Sequence, residues 1–178
     1  MTDNLKKKVY LSDFKKNLNK FLITSRFNNK TSLENKIFRN AHSKINCIYC
    51  SPVPVSRDVP VDKLMYVLEM NNDTNQIIGI GLVKNHPQVN KYSVYETGNY
   101  NRYNYIGSMR IDRAEMTNEE EIVLKALDIL CFKGNRHSKR GHGLKLFPLE
   151  ILFNCLKKID ILEFINNMFK IRLKEKSK

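Results

Sequence analysis

Residues 64–84 read LMYVLEMNNDTNQIIGIGLVK and contain the clearest local pattern in the chain. Residues 64–70 form an apolar run rich in side chains that favour β-structure, and residues 76–84 form a second such run. The five residues between them, 71–75, have the Asn- and Asp-rich composition of a turn. The stretch therefore predicts a β-hairpin around which the rest of the fold is arranged.

The second strand of this hairpin contains two glycines. Gly79 and Gly81 alternate with Ile80 and Leu82, so one face of the strand has no side chain at two positions. Such a face packs poorly unless a ligand or another backbone approaches it closely. Two interpretations stay open: Gly79 and Gly81 admit a ligand, or they mark a bulge or a tight bend.

The segments after the hairpin predict more β-structure and then a helix. Residues 92–111 (YSVYETGNYNRYNYIGSMRI) predict a further β section. Thr117 predicts the N-cap of a helix over residues 118–131, because three glutamates follow it in the first turn. The proline-rich residues 51–62 predict an extended loop or edge strand.

The two ends of the chain predict helices. Residues 5–40 have apolar side chains at spacings of three to five with lysines between them, which indicates mainly helix, with a break at Asn28-Asn29. A cap at residues 31–34 predicts a second short helix as far as Phe38. Residues 148–173 predict an amphipathic helix or a helix pair that begins at Pro148.

These elements predict an α+β fold with flanking N- and C-terminal helices. Its centre is expected to be a small mixed or antiparallel curved sheet, or a partly open barrel. We expect a single domain over residues 1–178, the size of one ordinary core. Within it, residues 1–44 form a basic helical extension, 45–147 a β-rich core with one helix, and 148–178 a C-terminal helix with a basic tail.

Charge is concentrated at the two ends. The net charge of the 178-residue chain is +13. Residues 1–44 carry 11 Lys and Arg against 3 Asp and Glu, residues 45–133 carry 9 against 11, and residues 134–178 carry 11 against 4. A near-neutral body with basic flanks predicts contact with nucleic acid. Alternatively, the lysines are solvated side chains of a Lys- and Asn-rich composition.

The composition excludes a membrane span and a secreted disulfide framework. No stretch approaches the ~18 to 20 apolar residues that a span requires. The first residues lack the apolar segment of a signal peptide. Cys131 and Cys155 lie in apolar runs and are interpreted as small buried side chains. We therefore expect an intracellular protein that is not secreted and has no membrane partner.

Residues 133–143 (KGNRHSKRGHG) form the segment that most resembles a binding loop. Its glycines, Gly134, Gly141 and Gly143, permit positive φ and close approach of a ligand. The cations predicted to bind phosphate are Lys133, Arg136, Lys139, Arg140 and, just beyond the loop, Lys145. The segment lacks GxxxxGK[ST], so it is not a nucleotide triphosphatase motif. The alternative is a solvated surface loop.

Tyrosines interleaved with arginines follow the hairpin. Tyr100, Tyr103 and Tyr105 lie close to Arg102 and precede Arg110. Aromatic rings stack on unpaired bases and arginines hold phosphates, so these residues are predicted to contact nucleic acid. Aromatic residues of strands are also ordinary core side chains, and that interpretation stays open for each tyrosine.

Histidines and cysteines offer two weaker alternatives. Cys47-x-x-Cys50 and His137-x4-His142 are half-sites that together would make a Cys2His2 zinc site, although 86 residues separate them. His137 or His142 can also serve as a general base in an enzyme that acts on nucleic acid. No cofactor is predicted.

The hairpin also carries a resemblance to a known family. A strand of type MYVLEM followed by a polar turn and IIGIGLV, within residues 65–84, resembles PUA-like domains, particularly their EVE and YTH branches. The resemblance covers about residues 45–145 and extends to YNRYNYIGSMRIDR at residues 100–113. It implies a small curved barrel that binds a modified base in an aromatic cage. The Lys-, Asn- and Ile-rich composition resembles proteins of large DNA viruses of the mimivirus type, which implies host cytoplasm, nucleus or virion.

The prediction for function is a module that binds nucleic acid, either RNA or single-stranded or modified nucleic acid. It would use the basic loop and the tyrosine-rich strands, and it is not expected to be an enzyme. One alternative is a nucleic-acid-processing enzyme that uses the loop histidines. The other is a virion or genome-packaging protein whose terminal helices dock on a protein partner.

Overall fold

The computed structural model describes residues 3–177. In this part of the chain five α-helices accompany eight strands. The helices are α1 (Asp3–Asn17), α2 (Asn29–Ala41), α3 (Asn118–Phe132), α4 (Leu149–Cys155) and α5 (Ile161–Lys176). The strands are β1 (Lys20–Phe27), β2 (Cys47–Ser51), β3 (Leu64–Asn71), β4 (Gln76–Lys84), β5 (Gln88–Val89), β6 (Tyr103–Gly107), β7 (Met109–Asp112) and β8 (Leu144–Leu146).

The strands form two sheets. The larger sheet has the order β7-β4-β3-β1-β8, and the smaller has the order β2-β6-β5. Strands β1 and β3 are parallel and the other paired strands are antiparallel. The predicted α+β class is confirmed, whereas the expected barrel is not present, because the two mostly antiparallel sheets do not close on each other.

The hairpin of residues 64–84 is confirmed. β3 pairs antiparallel with β4, from Leu64 opposite Lys84 to Asn71 opposite Gln76. The register shifts between Glu69 and Met70 of β3, so β4 contains a bulge next to Gly79. A bulge was one of the two interpretations of this glycine. Asn71 closes the turn, because its side-chain oxygen accepts a hydrogen bond from the backbone N–H of Asp73 at 3.0 Å.

The helix predicted across residues 20–27 is wrong. The segment KFLITSRF is strand β1, which lies between β3 and β8 near the middle of the larger sheet. Its apolar side chains face both sides of the sheet: Phe21 and Ile23 belong to one core and Leu22 to the other. A short strand buried on both faces has a continuous apolar run, which periodicity cannot distinguish from a buried helix.

Two hydrophobic cores lie on the two faces of the larger sheet. The first lies between the sheets and includes Ile23, Val67 and Tyr105. The second lies under α3, α4 and α5 and includes Tyr66, Leu127 and Phe169. β1 and β3 contribute side chains to both cores, so the larger sheet is the layer that the two cores share.

The tyrosine-rich residues 92–111 are strand only in their second half. β6 begins at Tyr103, while residues before it are held by the side chains of Asn101 and Asn104. The chain then passes from the smaller sheet to the larger one at Gly107. A Cβ at Gly107 would lie 2.7 Å from Sγ of Cys47, so this corner requires glycine.

Helix ends agree with the predicted capping except in α2. Thr117 caps α3 with a reciprocal Glu120 contact, and Pro148 precedes a helix pair, as predicted. The N-cap of α2 is Asn28, and Thr31 is the partner in its capping box. No helix in residues 3–177 is long and apolar enough to span a membrane.

Candidate functional site

A cavity of about 300 Å³ lies at the carboxyl end of β1, and we call it the Arg26 pocket. Its lining comes from β1 and the start of α2, from β2, from the hairpin turn, from the segment before β6 and from the residue before β8. The lining residues are Ser25, Arg26, Phe27, Asn28, Thr31, Cys50, Asn72, Tyr95, Thr97, Tyr100 and Gly143.

The pocket exists because β8 is shorter than β1. β8 starts at Leu144 opposite Ser25, so Arg26 and Phe27 extend past the paired region. Gly143 lies at this boundary with a φ of +70°, and a Cβ there would overlap the hydroxyl of Ser51. The loop before β8 therefore turns away from the sheet edge and leaves the cavity open.

The side chain of Arg26 ties the basic loop to the end of β1. Its Nε donates to the carbonyl oxygen of Ser138 at 2.6 Å, and Nη1 donates to that of Gly143 at 3.4 Å. A Cβ at Gly141, where φ is +105°, would lie 3.9 Å from Cζ of Arg26 and 3.7 Å from Cε of Lys145. The loop of residues 138–143 is thus wrapped around one guanidinium.

The hairpin turn holds the same loop from the other side. Nδ2 of Asn72 donates to the carbonyl oxygen of Lys139 at 3.0 Å, and Nζ of Lys139 donates to Oδ1 of Asn75 at 2.7 Å. Oδ1 of Asn72 is buried and has no hydrogen-bond partner. The hairpin turn and the basic loop are therefore in direct contact here.

Aromatic rings form part of the wall. Phe27 and Tyr95 are buried, whereas Tyr100 is 36% exposed. The hydroxyl of Tyr95 accepts a hydrogen bond from Nδ2 of Asn35 at 3.0 Å, and Asn35 also donates to the carbonyl of Ile48 at 2.7 Å. Burial raises the pKa of Tyr95 well above 10.0, so its hydroxyl stays protonated.

The structure brings five of the predicted residues around the pocket. Tyr100 and Gly143 line it, Lys139 and Gly141 belong to the loop segment that surrounds Arg26, and Lys145 lies next to that segment on β8. The sequence analysis assigned no role to Arg26, so it did not predict that these residues gather around it. Tyr103 and Arg102 follow Tyr100 in the chain, and Cζ of Arg102 lies 5.4 Å from the ring centroid of Tyr103.

Other predicted cations lie on the surface of the loop. Lys133 and Arg140 are exposed, and Nη1 of Arg136 lies 3.9 Å from Oε2 of Glu150 in α4. Gly134 has a φ of +78°, and nothing lies within 4 Å of the position of a Cβ. These residues are accessible to a large ligand, but they do not line the pocket.

Two predicted contacts with nucleic acid are corrected. Tyr105 is fully buried, and its hydroxyl accepts a hydrogen bond from the backbone N–H of Val55 at 2.9 Å. Arg110 is bound on both sides: Nη2 contacts Oε2 of Glu69 at 2.6 Å and Nη1 contacts Oδ2 of Asp112 at 2.8 Å. Burial alone would lower the pKa of Arg110, but Glu69 raises it above the ordinary value.

Gly79 and Gly81 are approached by protein side chains. A Cβ at Gly79 would lie 2.6 Å from Nη2 of Arg110, and one at Gly81 would overlap the hydroxyl of Tyr49. That hydroxyl donates to Oε1 of Glu69 at 2.7 Å, which links the smaller sheet to the larger one. The bare face of β4 thus accommodates a buried polar cluster of the protein itself, not an open ligand site.

The cysteines and histidines do not converge. Cys47 and Cys50 are buried on β2, and burial raises the pKa of each thiol to about 12. Within residues 3–177 no three His, Cys, Asp or Glu side chains are placed to hold a metal ion. Nδ1 of His137 is buried without a hydrogen-bond partner, and His142 is exposed. The histidine-based enzyme hypothesis stays a prediction.

A second, larger groove of about 1270 Å³ lies beside β7 and α5. Two of its lining arginines pair with carboxylates: Arg110 with Glu69 and Asp112, and Arg172, whose Nη2 lies 2.7 Å from Oε2 of Glu120. A third, Arg39, donates from Nε to Oδ1 of Asn35 at 2.9 Å. Acidic residues also occur along its rim. Its acidic lining distinguishes this groove from the Arg26 pocket, in which no lining residue is acidic.

Sequence reasoning missed most of the pocket. Ser25, Arg26 and Phe27 were assigned to a helix, and Tyr95 and Thr97 were not selected. The one available signal was Arg26 itself, a single cation at the end of the apolar run FLITS.

No protein-family model, curated protein or solved structure matches this chain.

Proposed function

We propose that the protein is a nucleic-acid-binding module that captures one unpaired nucleotide in the Arg26 pocket. The observation that carries this proposal is an aromatic-walled cavity next to a basic glycine-rich loop. Each feature contains one residue that the sequence analysis predicted to take part in binding: Tyr100 on the wall and Gly143 at the end of the loop.

The size of the pocket supports a small ligand. A volume of about 300 Å³ is at the lower end of the range for small-molecule sites. A ligand the size of one nucleotide suits such a cavity, whereas a duplex does not. A duplex would have to release a base to use it, at a cost of a few kcal/mol.

The aromatic wall supports a planar ligand. Phe27 and Tyr95 are held rigidly in the core, and Tyr100 lies at the mouth with about a third of its surface exposed. A base that enters between them gains stacking worth about 1–3 kcal/mol. This contact does not depend on which base enters, so it favours single strands over duplexes.

The basic loop supports contacts to the phosphates on either side of the captured nucleotide. Lys133, Arg136 and Arg140 are exposed on the same loop that ends at the pocket. With a net charge of +13, the chain attracts polyanions over a long range. Contacts of this type do not read sequence, and they weaken as salt rises.

The PUA-like, EVE- or YTH-like assignment and a viral origin remain proposals. The resemblance implies capture of a modified base in an aromatic cage. The wall of Phe27, Tyr95 and Tyr100 is compatible with a cage made without tryptophan.

The proposal is tested by fluorescence anisotropy with labelled single-stranded RNA, single-stranded DNA and duplex at several salt concentrations. We expect single strands to bind more tightly than duplex, and affinity to fall steeply with salt. Tyr100→Ala should weaken binding by about tenfold or more. Arg140→Gln should reduce the salt slope by about 1.

Tyr10→Ala is the matched control, because Tyr10 is an exposed tyrosine on α1, which does not line the pocket. It should bind like the wild type. Equal affinity for all three nucleic acids, with no effect of Tyr100→Ala, would refute the pocket and favour a packaging protein that binds without preference.

A further inference from the structure

The side chains of β1 alternate between the two faces of the larger sheet, and this alternation divides the lining of the Arg26 pocket. Ile23 and Phe27 belong to the core between the sheets, and Ser25 lies between them on the same face. Thr24 and Arg26 lie on the opposite face, where Nη2 of Arg26 donates to Oγ1 of Thr24 at 3.3 Å. The guanidinium of Arg26 is thus directed away from the interior of the cavity.

The interior contains no charged side chain. Ser25, Phe27, Cys50 and Tyr95 line it, and they are between 4 and 8% exposed. Burial raises the pKa of Cys50 to about 12 and that of Tyr95 well above its ordinary value, so both groups stay protonated and neutral. An ionised group that entered here would lose its hydration without meeting a counter-ion. The interior therefore favours an uncharged part of a ligand.

Ser25 offers this interior an unused hydrogen-bonding group. The residue is 5% exposed, and its hydroxyl has no hydrogen-bond partner among residues 3–177. Its oxygen is not sealed in the core as Oδ1 of Asn72 is, so it is accessible from the cavity that the residue lines. Polar groups that are this deeply buried normally have a partner. A ligand with a donor or acceptor on its edge would supply one.

The mouth of the cavity differs from the interior. Asn28, Thr97 and Tyr100 line the cavity and are exposed. Lys133 and Arg140 of the basic loop are exposed as well, so a phosphate meets cations at the surface and not inside the cavity. The site thus combines a neutral interior with an aromatic and polar mouth and with basic residues outside.

We propose, on the basis of the function proposed above, that the interior receives the uncharged base of the captured nucleotide and that Ser25 determines which base is preferred. The hydroxyl of Ser25 would form a hydrogen bond with the edge of the base, whereas the sugar and the phosphate stay outside. A hydroxyl can donate to a carbonyl or ring nitrogen and can accept from an amino group. Stacking on Tyr100 does not distinguish the bases, so Ser25 is the specificity-determining residue.

The test measures competition against a labelled single strand by fluorescence anisotropy, with salt high enough to screen the exposed cations. The competitors are the four nucleosides, their 5′-monophosphates and inorganic phosphate. We expect each nucleoside to compete nearly as well as its monophosphate, and inorganic phosphate not to compete. The nucleosides should differ among themselves by about three- to tenfold, the range of one hydrogen bond between neutral groups.

Ser25→Ala removes the hydroxyl and keeps the interior neutral, so it should reduce the differences among the nucleosides to about twofold or less. Thr24→Val is the matched control, because it removes the neighbouring buried hydroxyl from the opposite face of β1 and should leave the order of the nucleosides unchanged. Thermal melts check that both variants fold. In the wild type, the preferred nucleoside should also shift the backbone amide NMR signals of Ser25 and Phe27.

The outcomes distinguish this inference from the proposed function. If Tyr100→Ala weakens strand binding but the monophosphates compete about tenfold or more better than the nucleosides, nucleotide capture stands and the phosphate contributes to binding in the pocket, so the neutral-interior inference is wrong. If all nucleosides compete equally, or if Ser25→Ala leaves their order unchanged, Ser25 does not select the base. If neither strands nor nucleosides bind, both proposals fail.

Discussion

At the scale of single residues, the bare face of β4 is occupied by polar groups from its neighbours. Tyr49 enters over Gly81 and Arg110 over Gly79, and both reach the carboxylate of Glu69, which is 3% exposed. A buried carboxylate needs such partners, since an unpaired charge in a core costs several kcal/mol. The two glycines are therefore requirements of the cluster that links the sheets.

This packing predicts that Gly81→Ala destabilises the protein. The new Cβ would overlap the Tyr49 hydroxyl, and overpacking of this kind costs about 1–3 kcal/mol. Urea denaturation measures the change. In a Tyr49→Phe background the cost should be smaller, because the closest of the overlapping atoms is absent, although Cζ and Cε2 of the ring still lie 2.7 and 2.8 Å from the new Cβ. Gly98→Ala, where nothing lies within 4 Å of the new Cβ, should be close to neutral; equal losses at both positions would contradict the argument.

At the scale of elements, one ion pair joins α3 to α5 beside the apolar core that the two helices share. Glu120 lies in the first turn of α3, and its carboxylate accepts from Arg172 of α5 and from the backbone N–H of Thr117 at 2.9 Å. The hydrogen bond from Arg172 holds the pKa of Glu120 below its ordinary value of 4.5. The pair stabilises the fold as long as the carboxylate is charged.

The lowered pKa predicts acid sensitivity with a definite sign. The stabilisation is complete above pH ~5 and is lost as the pH falls through the lowered pKa of Glu120. Denaturation at a series of pH values should show Glu120→Gln to be less stable than the wild type near neutral pH by about 1 kcal/mol, with the difference shrinking in acid. Glu119→Gln, on the same turn, should leave the pH dependence unchanged. A constant difference across the series would argue against this role of the ion pair.

At the scale of the whole molecule, the basic N-terminal helix is attached to the body rather than built into it. α1 packs through Phe14, whose ring centroid lies 5.6 Å from that of Phe153, and Nζ of Lys7 lies 3.6 Å from Glu150. Leu5 and Val9 are about half exposed. The predicted protein partner for the terminal helices has an accessible surface here, and it stays a prediction.

Deletion of residues 1–17 should therefore leave a folded protein. The loss of one aromatic contact and one surface ion pair predicts a decrease of about 1–3 kcal/mol in the free energy of unfolding. A thermal melt should still show one cooperative transition. As a contrast, a chain that ends at residue 160 lacks α5 and uncovers Tyr66, and it should not fold. Failure of the shorter N-terminal deletion to fold would show that α1 is part of the core.

The elements that could be predicted from the sequence are those that depend on interactions between residues close together in the chain. The hairpin, the cap at Thr117, the loop of residues 133–143 and the C-terminal helix pair depend on neighbours within a few residues, and all four are present. The site was predicted less completely. Tyr100 and Gly143 line the pocket. The side chains of Arg110 and Tyr105 are sheltered and bind other groups of the protein, because strand alternation does not reveal which face another sheet will cover.

The sequence by itself determined the α+β class, the basic flanks and the segments that turn, since propensity, capping and charge are local properties. Tertiary structure decided that residues 20–27 form a strand in the middle of the larger sheet, where burial on both faces outweighs their helical spacing. It also decided that Arg26 contacts a loop more than a hundred residues further along the chain. The reason is that the pairing of β8 with β1 ends at Ser25, one residue before Arg26. A cation without a carboxylate becomes visible only when its surroundings are assembled in three dimensions.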